Sequence, residues 1–594
     1  MIGRPVRRRE DARILSGRSR YLDDVPADGA LHMAFVRSPH AHARVLGVRG
    51  ARWTAESIAG RARPARVDPP PGLTVADAPH PVLADGVVRY VGQPVAAVVA
   101  ESRALAEDAA ERVEVSYEPL EPVVDPRAGE PLVRWEKRTG DVAGAFAAAA
   151  HVVRTESAIP RLAATPMETR GALAVPDGER LTVWTSSQSA HRPRAQLAQV
   201  LGLDEASLRV LVPDVGGGFG SKGTLPVEAP LVALAALELG RPVKWVEDRR
   251  ENFLAAQQGR GLRAAVELAL DADGRLLALR ARLLADLGAY LLPPTPIPPH
   301  TTAMLLAGCY DVQSVEVIVT GARTNKVPTG PYRGAGRPEA SYLIETAVDE
   351  AARSLRSDPV ELRRRNIVRT FPYRTALGWT YDSGDFERCL DRALELLGEV
   401  PEGNADTLVG AGVALSVERS GGLFEQAEIT MSDGDVVVTV GSIPTGQGHE
   451  TLFAQIAGER LGVDPARVTV RSGDTDALAS GVGSFASRST VMGGSAVAAA
   501  ADDLKASGGE TGRARFESDQ VFASGCYAAV VAVERATGRV TVRRLVAVDD
   551  AGRIMNPLLA EGQVVGGAVQ GLGAVLTEQV VYDEDGQPAY ASLL

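Results

Sequence analysis

Cysteine is scarce in this sequence: Cys309, Cys389 and Cys526 are the only three in 594 residues, far apart and without CxxC spacing. An iron–sulfur cluster takes four thiolates, so this chain cannot hold one alone. Scattered cysteines give no disulfide framework either, which points to a reducing, cytoplasmic compartment. Basic clusters are equally rare. The net charge is −11 and the only dense basic run is Arg7 to Arg9, so the chain offers no footprint for nucleic-acid phosphates, and that run reads as a solvated N-terminal arm. Long apolar runs are missing as well: none approaches the ~18 residues of a membrane span, and no apolar segment follows the basic N-terminus as in a signal peptide. HExxH, HxxEH and His/Cys clusters do not occur, so the sequence carries no direct protein metal site. These absences predict a soluble protein that binds neither nucleic acid nor membrane.

With 45% hydrophobic residues over this length, the chain buries several cores, and three or more domains are expected. From Gly29 to about Asp125, short β runs surround one helix. Pro94 to Ala100 reads as a buried strand, Ser102 is placed to cap a helix, and Leu105, Ala109 and Val113 recur at helical spacing. The polar stretch from Asp125 to Thr139 lacks a sustained period and reads as linker. The predicted organisation is therefore α+β: a first domain over 1–125, a linker over 126–150, and two mixed α/β domains over 151–400 and 401–594.

A recurring unit marks these later domains, a glycine-rich loop that feeds a helix. Leu208, Val210 and Val212 alternate as a strand, Gly216 to Lys222 (GGGFGSK) is the loop, and Pro226 to Leu239 is a helix closed by Gly240. PYRGAGRPEA (Pro331 to Ala340) precedes a helix with Leu343, Ala347 and Ala351 on one face. A hairpin is expected around Asp433 and Gly434. TGQGHE (Thr445 to Glu450) and SFASRSTVMGG (Ser484 to Gly494) each open a helix, and GQVVGGAVQGLG (Gly562 to Gly573) comes after a hairpin turned at Thr537 and Gly538.

Backbone N–H groups at such helix starts hold anions. Each loop alone is weak support: GGGFGSK is neither a P-loop nor GxGxxG, because Ser221 takes the decisive glycine position, and any one loop is equally well a tight turn. Together, with Gln188, Gln447 and Gln563 in or near them, they could surround one large polar ligand, since an amide both donates and accepts. His449 is the only histidine inside such a loop, and it reads either as a core or capping residue or as a ligand contact. A pyridine-nucleotide dehydrogenase is disfavoured, because no GxGxxG follows a strand with an acidic residue ~20 positions on.

GGGFGSK, PYRGAGRPEA, TGQGHET, SRSTVMGG and GQVVGGAVQGLG resemble, in that order, the cofactor motifs of the xanthine dehydrogenase/aldehyde oxidase family, molybdopterin-binding large subunits of the CO-dehydrogenase-like, form II type. GRSRYLDDV (Gly17 to Val25), FVRSPHAHARV (Phe35 to Val45) and VRYVGQPVAAVVAE (Val88 to Glu101) are similar to the family's α/β hammerhead domain. The resemblance implies that domain followed by two molybdopterin-binding domains, the second incomplete. It implies molybdopterin cytosine dinucleotide, whose molybdenum is held by the pterin dithiolene and not by the protein. By motif, Gln188 and the backbone of Gly217, Gly218, Phe219 and Gly220 would face the metal's oxo group, with Arg333 and Gly334 beside it. Gln447, Gly448, His449, Ser487, Arg488, Ser489 and Gln563 would bind the pterin and its nucleotide tail.

The implied reaction is oxidation of an aldehyde or N-heterocycle with water-derived oxygen. Electrons would leave through a small [2Fe-2S] subunit and a medium FAD subunit. Departures from the family narrow the substrate. The active-site loop of its CO dehydrogenases carries a cysteine where RGAGR (Arg333 to Arg337) has none. Its xanthine dehydrogenases place a glutamate where Gly223 stands and a purine-stacking phenylalanine where Ala335 stands. The family's catalytic glutamate, in a GxGE motif, would lie beyond Leu594. The expectation is thus a cofactor binder with feeble turnover unless a C-terminal fragment completes it, and the alternative is a truncated or split, non-catalytic remnant.

Overall fold

The computed structural model describes residues 2–592. Its largest sheet has seven strands in the order Leu208–Leu211, Arg180–Thr185, Gly171–Asp177, Val243–Val246, Leu31–Arg37, Pro94–Ala100 and Trp53–Thr54. The N-terminal region therefore shares a sheet with later parts of the chain: Leu31 and His32 pair in parallel with Val243 and Lys244. Pro94–Ala100 is buried over most of its length, as its unbroken apolar run requires. Ser102 caps the next helix by accepting from the Leu105 N–H, but the helix turns Ala106 inward and leaves Leu105 52% exposed. Helix Ala229–Leu239, apolar on every side, packs under this sheet and ends at Gly240 in the left-handed region.

A second sheet has six strands, in the order Thr74–Val75, Pro131–Thr139, Ser314–Arg323, Leu276–Gly288, Gln258–Leu270 and His151–Ala163. Residues 126–150, expected as a linker, contribute strand Pro131–Thr139 to it, paired with Ser314–Arg323. Leu132, Val133 and Trp135 are buried in that strand's core while its charged residues face water, so the polar composition hid a half-buried strand. Helix Arg337–Leu355 packs on this sheet through Leu343, Ala347 and Ala351, the face its spacing predicts.

The remaining chain forms a four-stranded sheet (Val468–Arg471, Asp435–Val440, Phe424–Ser432, Thr511–Glu517) and a three-stranded one (Thr407–Gly421, Gln520–Glu534, Val540–Asp550). The predicted hairpin turns at Asp433 and Gly434, both at positive φ. Helices His449–Leu461 and Ser495–Ser507 cover the four-stranded sheet.

Two further segments are held by distant parts of the chain. GQVVGGAVQGLG lies inside helix Pro557–Leu576, which starts with a proline and is capped by Asn556 accepting from the Leu558 N–H. Each glycine costs a helix about 1 kcal/mol, but here glycine admits a neighbour, because a Cβ at Gly566 would stand 3.1 Å from Nη2 of Arg333. The N-terminal arm is exposed at Arg7 and Arg9, as expected, and is also docked by its side chains. Arg8 donates to the Gly446 carbonyl (2.5 Å), Arg9 to those of Pro465 (3.0 Å) and Val468, and Glu10 accepts from Thr451. The arginines satisfy carbonyls that the turns leave open.

Candidate cofactor site

Strand Arg180–Thr185 ends in a buried turn that delivers Gln188 between two glycine-rich loops. Its backbone donates to the Lys222 carbonyl (2.8 Å) and accepts from the Ser484 N–H (2.9 Å). Its side chain repeats the link: Oε1 accepts from the Gly220 N–H (2.9 Å), and Nε2 donates to the Ser484 carbonyl (2.7 Å). The amide has both a donor and an acceptor to satisfy, and the two loops present the complementary pair. A Cβ at Gly218 would lie 2.8 Å from the Gln188 amide carbon, so glycine there makes room for it.

Behind loop 216–222 stands Glu168, which accepts from Lys222 Nζ (2.8 Å), the Gly216 N–H (2.9 Å) and Ser186 Oγ (2.5 Å). Burial pulls the Lys222 ammonium below its ordinary pKa, with Glu168 opposing. Lys222 therefore fastens the loop and does not reach out of it. Gly217 and Gly220 have φ near +95° and Phe219 φ +52°, which turns the Phe219 ring outward, 42% exposed.

Arg333 makes the next junction. Its N–H donates to the Phe219 carbonyl (2.8 Å), and its guanidinium lies over the Phe219 ring at 5.6 Å. The guanidinium also donates to the Gly566 (2.7 Å) and Gln563 (3.2 Å) carbonyls of helix Pro557–Leu576. Burial lowers its pKa. Arg260 holds the loop from behind through the Tyr332 (2.8 Å) and Arg333 (2.6 Å) carbonyls. Gly334 and Gly336 adopt φ of +94° and +101° and Ala335 +46°, so this loop is built on left-handed backbone.

The third region supplies the rest. Gln447 folds its Oε1 back onto Thr445, and Gly448, at φ +82°, opens helix His449–Leu461 against Leu559 of the C-terminal helix. Around Gly446 the space is open. His449 is buried with its ring on Phe453, and neither ring nitrogen has a hydrogen-bond partner among the described residues. Burial pulls its pKa down to about 4, against a weaker upward pull from the Ser442 backbone. Its ring is placed in the core directly behind Gly448.

Arg488 also points inward, paired with fully buried Glu425 (2.7 Å) and donating to the Gly483 (2.8 Å) and Phe424 carbonyls. Ser487, exposed at φ +51°, donates to Glu418 (2.6 Å), and Ser489 to Ser484 Oγ (3.2 Å). Gln563 is exposed, and its carbonyl, not its amide, meets Arg333. The structure thus links Gln188, Phe219, Gly220, Arg333 and Gln563 through hydrogen bonds, carries Gly217, Gly218 and Gly334 on the same loops, and sets Gly448, next to Gln447, against Leu559. Glu168, Glu425 and Arg260 join them without any local signal in the sequence to mark them.

What this junction offers a ligand is amide, hydroxyl and backbone donors. The Gln570 Nε2, on the same helix as Gly566, is buried close to the Tyr332 hydroxyl. Among the described residues, no group of three or more His, Cys, Asp or Glu could hold a metal ion. Such a donor set fits a polar heterocyclic group that brings its own metal ligands.

The fold and this junction define a molybdopterin-binding oxidoreductase subunit. Residues 124–367, 392–521 and 509–594 match models of the molybdopterin cofactor-binding domain, and 16–121 match the aldehyde oxidase and xanthine dehydrogenase a/b hammerhead domain. The chain belongs to the xanthine dehydrogenase/aldehyde oxidase family of molybdenum-dependent oxidoreductases. It is 36% identical to the nicotine 6-hydroxylase large subunit of Paenarthrobacter nicotinovorans, covering 100% of this chain and 85% of that protein. It is 32% identical to the carbon monoxide dehydrogenase large chain of Hydrogenophaga pseudoflava, covering 97% and 86%. Quinoline 2-oxidoreductase of Pseudomonas putida 86 superposes with a TM-score of 0.92 at 34% identity, covering 100% and 88%.

Proposed function

We propose that this chain is the cofactor-bearing large subunit of a hydroxylase that oxidises an N-heterocycle, or failing that an aldehyde, with oxygen from water. The cofactor in this reading is molybdopterin cytosine dinucleotide. Electrons pass to a small [2Fe-2S] and a medium FAD subunit of a cytoplasmic complex. The observation that carries the reading is the Gln188 clamp, which holds loops 216–222 and 483–489 at a fixed separation through one amide. When bound, the cofactor supplies the metal that activates water and accepts the substrate's electrons.

The protein's own part is positional. Gln188 and the Gly220 backbone fix one wall, and Arg333 ties the second loop to helix Pro557–Leu576. The outward Phe219 ring gives a flat substrate an apolar face. The carboxylates around the loops are already committed: Glu168 to Lys222, Glu339 to the Gly336 N–H and Arg260, Glu418 to Arg337 and Ser487. None of these is a free proton acceptor.

Two relatives named for nicotine and quinoline favour a heterocycle. Carbon monoxide is disfavoured because Ala335 and its neighbours supply no thiol, and the three cysteines are buried in the core. The test is to co-purify the chain with its partner subunits and measure molybdenum and cytidine monophosphate per chain. Quinoline, a nicotine-type ring and a simple aldehyde are then assayed with a dye acceptor in ¹⁸O-labelled water. Label in a hydroxylated ring, formed slowly because the carboxylates around the loops are committed, is the expected result. Absence of molybdenum and nucleotide overturns the cofactor assignment, and turnover of carbon monoxide alone overturns the substrate class.

A further inference from the structure

Arg192 stands one helical turn beyond Gln188, in the first turn of helix His191–Leu201. Its guanidinium carbon lies 4.1 Å from the centre of the Phe485 ring. Phe485 directly follows Ser484, the residue that takes the Gln188 amide. A second guanidinium, that of Arg488, approaches the same ring at 5.7 Å.

The two arginines differ in what balances them. Arg488 is paired with Glu425 and satisfied by backbone carbonyls. Arg192 is half-buried, and among the described residues it has neither a carboxylate nor a carbonyl partner; its charged neighbour is Arg488. Burial first, and Arg488 second, pull its pKa down to about 10, so the folded chain holds this charge against a cost. The Phe485 face offsets part of that cost and fixes the plane of the guanidinium. The loop that carries Phe485 also carries Ser484, Ser487 and Ser489, with left-handed backbone at Ala486 and Ser487. A planar, forked cation held on an aromatic face, with no acid to neutralise it, is suited to a phosphate.

We infer that Arg192, laid on Phe485, is a phosphate-binding residue of this site and takes a phosphate of the nucleotide part of the cofactor. The inference rests on the cofactor reading above.

The test uses the complex with its partner subunits and three variants. Arg192→Met keeps length and contact with the ring but not charge, Arg192→Lys keeps charge but not the fork, and Phe485→Leu removes the shelf. Molybdenum and cytidine monophosphate are counted per chain, and the cofactor-stripped chain is titrated with inorganic pyrophosphate by thermal shift. Pyrophosphate should bind Arg192→Met about tenfold more weakly than wild type, the loss expected for one charge-assisted contact. The same variant should retain less nucleotide at an unchanged ligand-free melting temperature, with Arg192→Lys and Phe485→Leu between it and wild type. Wild type loaded with molybdenum and nucleotide, and Arg192→Met loaded equally and binding pyrophosphate equally, overturns the role of Arg192 alone. Wild type free of molybdenum and nucleotide overturns the cofactor reading beneath it. If Arg192→Met fails to fold, Phe485→Leu carries the same two readouts, and equality with wild type in both overturns the inference.

Discussion

Replacing Gln188 by alanine removes one side chain and leaves two loops unpaired. The Gly220 N–H loses its acceptor at 2.9 Å and the Ser484 carbonyl its donor at 2.7 Å, at a position only 5% exposed. A buried polar group without a partner costs about 1 to 3 kcal/mol, so the pair costs about 2 to 6 kcal/mol, with the lower end reached if water enters the space. A chain with several cores need not unfold in one step, so a global unfolding free energy is the wrong quantity. Hydrogen exchange at the Gly220 amide reads the loop directly: a local loss of 2 kcal/mol is about a 30-fold faster exchange. Gln188→Glu is the discriminating control. It keeps the acceptor for Gly220 but sets a carboxylate against the Ser484 carbonyl, so it should protect Gly220 while releasing Ser484 and the loop beyond it. Cofactor content should fall in both variants, and further in alanine. Gly220 protection within a factor of about 3 of wild type in Gln188→Ala, with undiminished molybdenum, would refute the clamp.

Gln447→Ala removes only the contacts to Thr445 on a half-exposed loop. Its melting temperature should stay nearly constant while molybdenum per chain drops, and unchanged metal content would make this loop a turn and nothing more. Gly336→Ala forces a side chain onto φ +101°, where its Cβ would meet the Pro298 carbonyl and the Thr302 N–H at 2.7 Å. Backbone cannot give way as a side chain can, so the melting temperature of the transition that includes this loop should fall clearly below that of wild type. His449 gives a pH signature: the unfolded ring takes a proton near 6.5, the buried ring only near 4. Stability is therefore lost as pH falls between these values, by about 3 kcal/mol in total, and His449→Leu should flatten the melting temperature over that window.

Local periodicity carries much of the fold. The alternation of Leu208 and Val210, the inward face of Leu343, Ala347 and Ala351, and the Asp433–Gly434 turn each depend on neighbours a few residues apart, and each stands where its pattern predicts. The misreadings have one physical source, tertiary partners that local patterns cannot contain. Pro131–Thr139 resembles a linker in sequence because only one of its faces is buried. Gly562 to Gly573 is rich in glycine, which weakens a helix, yet it is helical and Arg333 occupies the room those glycines leave. The docking of Arg8 and Arg9, which stay in contact with water, is hidden because their carbonyl acceptors lie more than 400 residues away.

The same limit runs through the site. Its glycine-rich loops are visible in the sequence, but the groups that aim them are not: Glu168 and Glu425 are ordinary carboxylates in their local context, 54 and 63 residues from the cations they bind. Their effect is to draw Lys222 and Arg488 inward. The two basic residues that a motif reading would turn toward an anionic ligand thus spend their charge on holding loops 216–222 and 483–489 in place. A ligand with phosphates still needs a cation at this junction. Of the basic groups on the Phe485 ring, Arg192 is the one whose charge the described residues leave unbalanced, although no glycine-rich motif contains it.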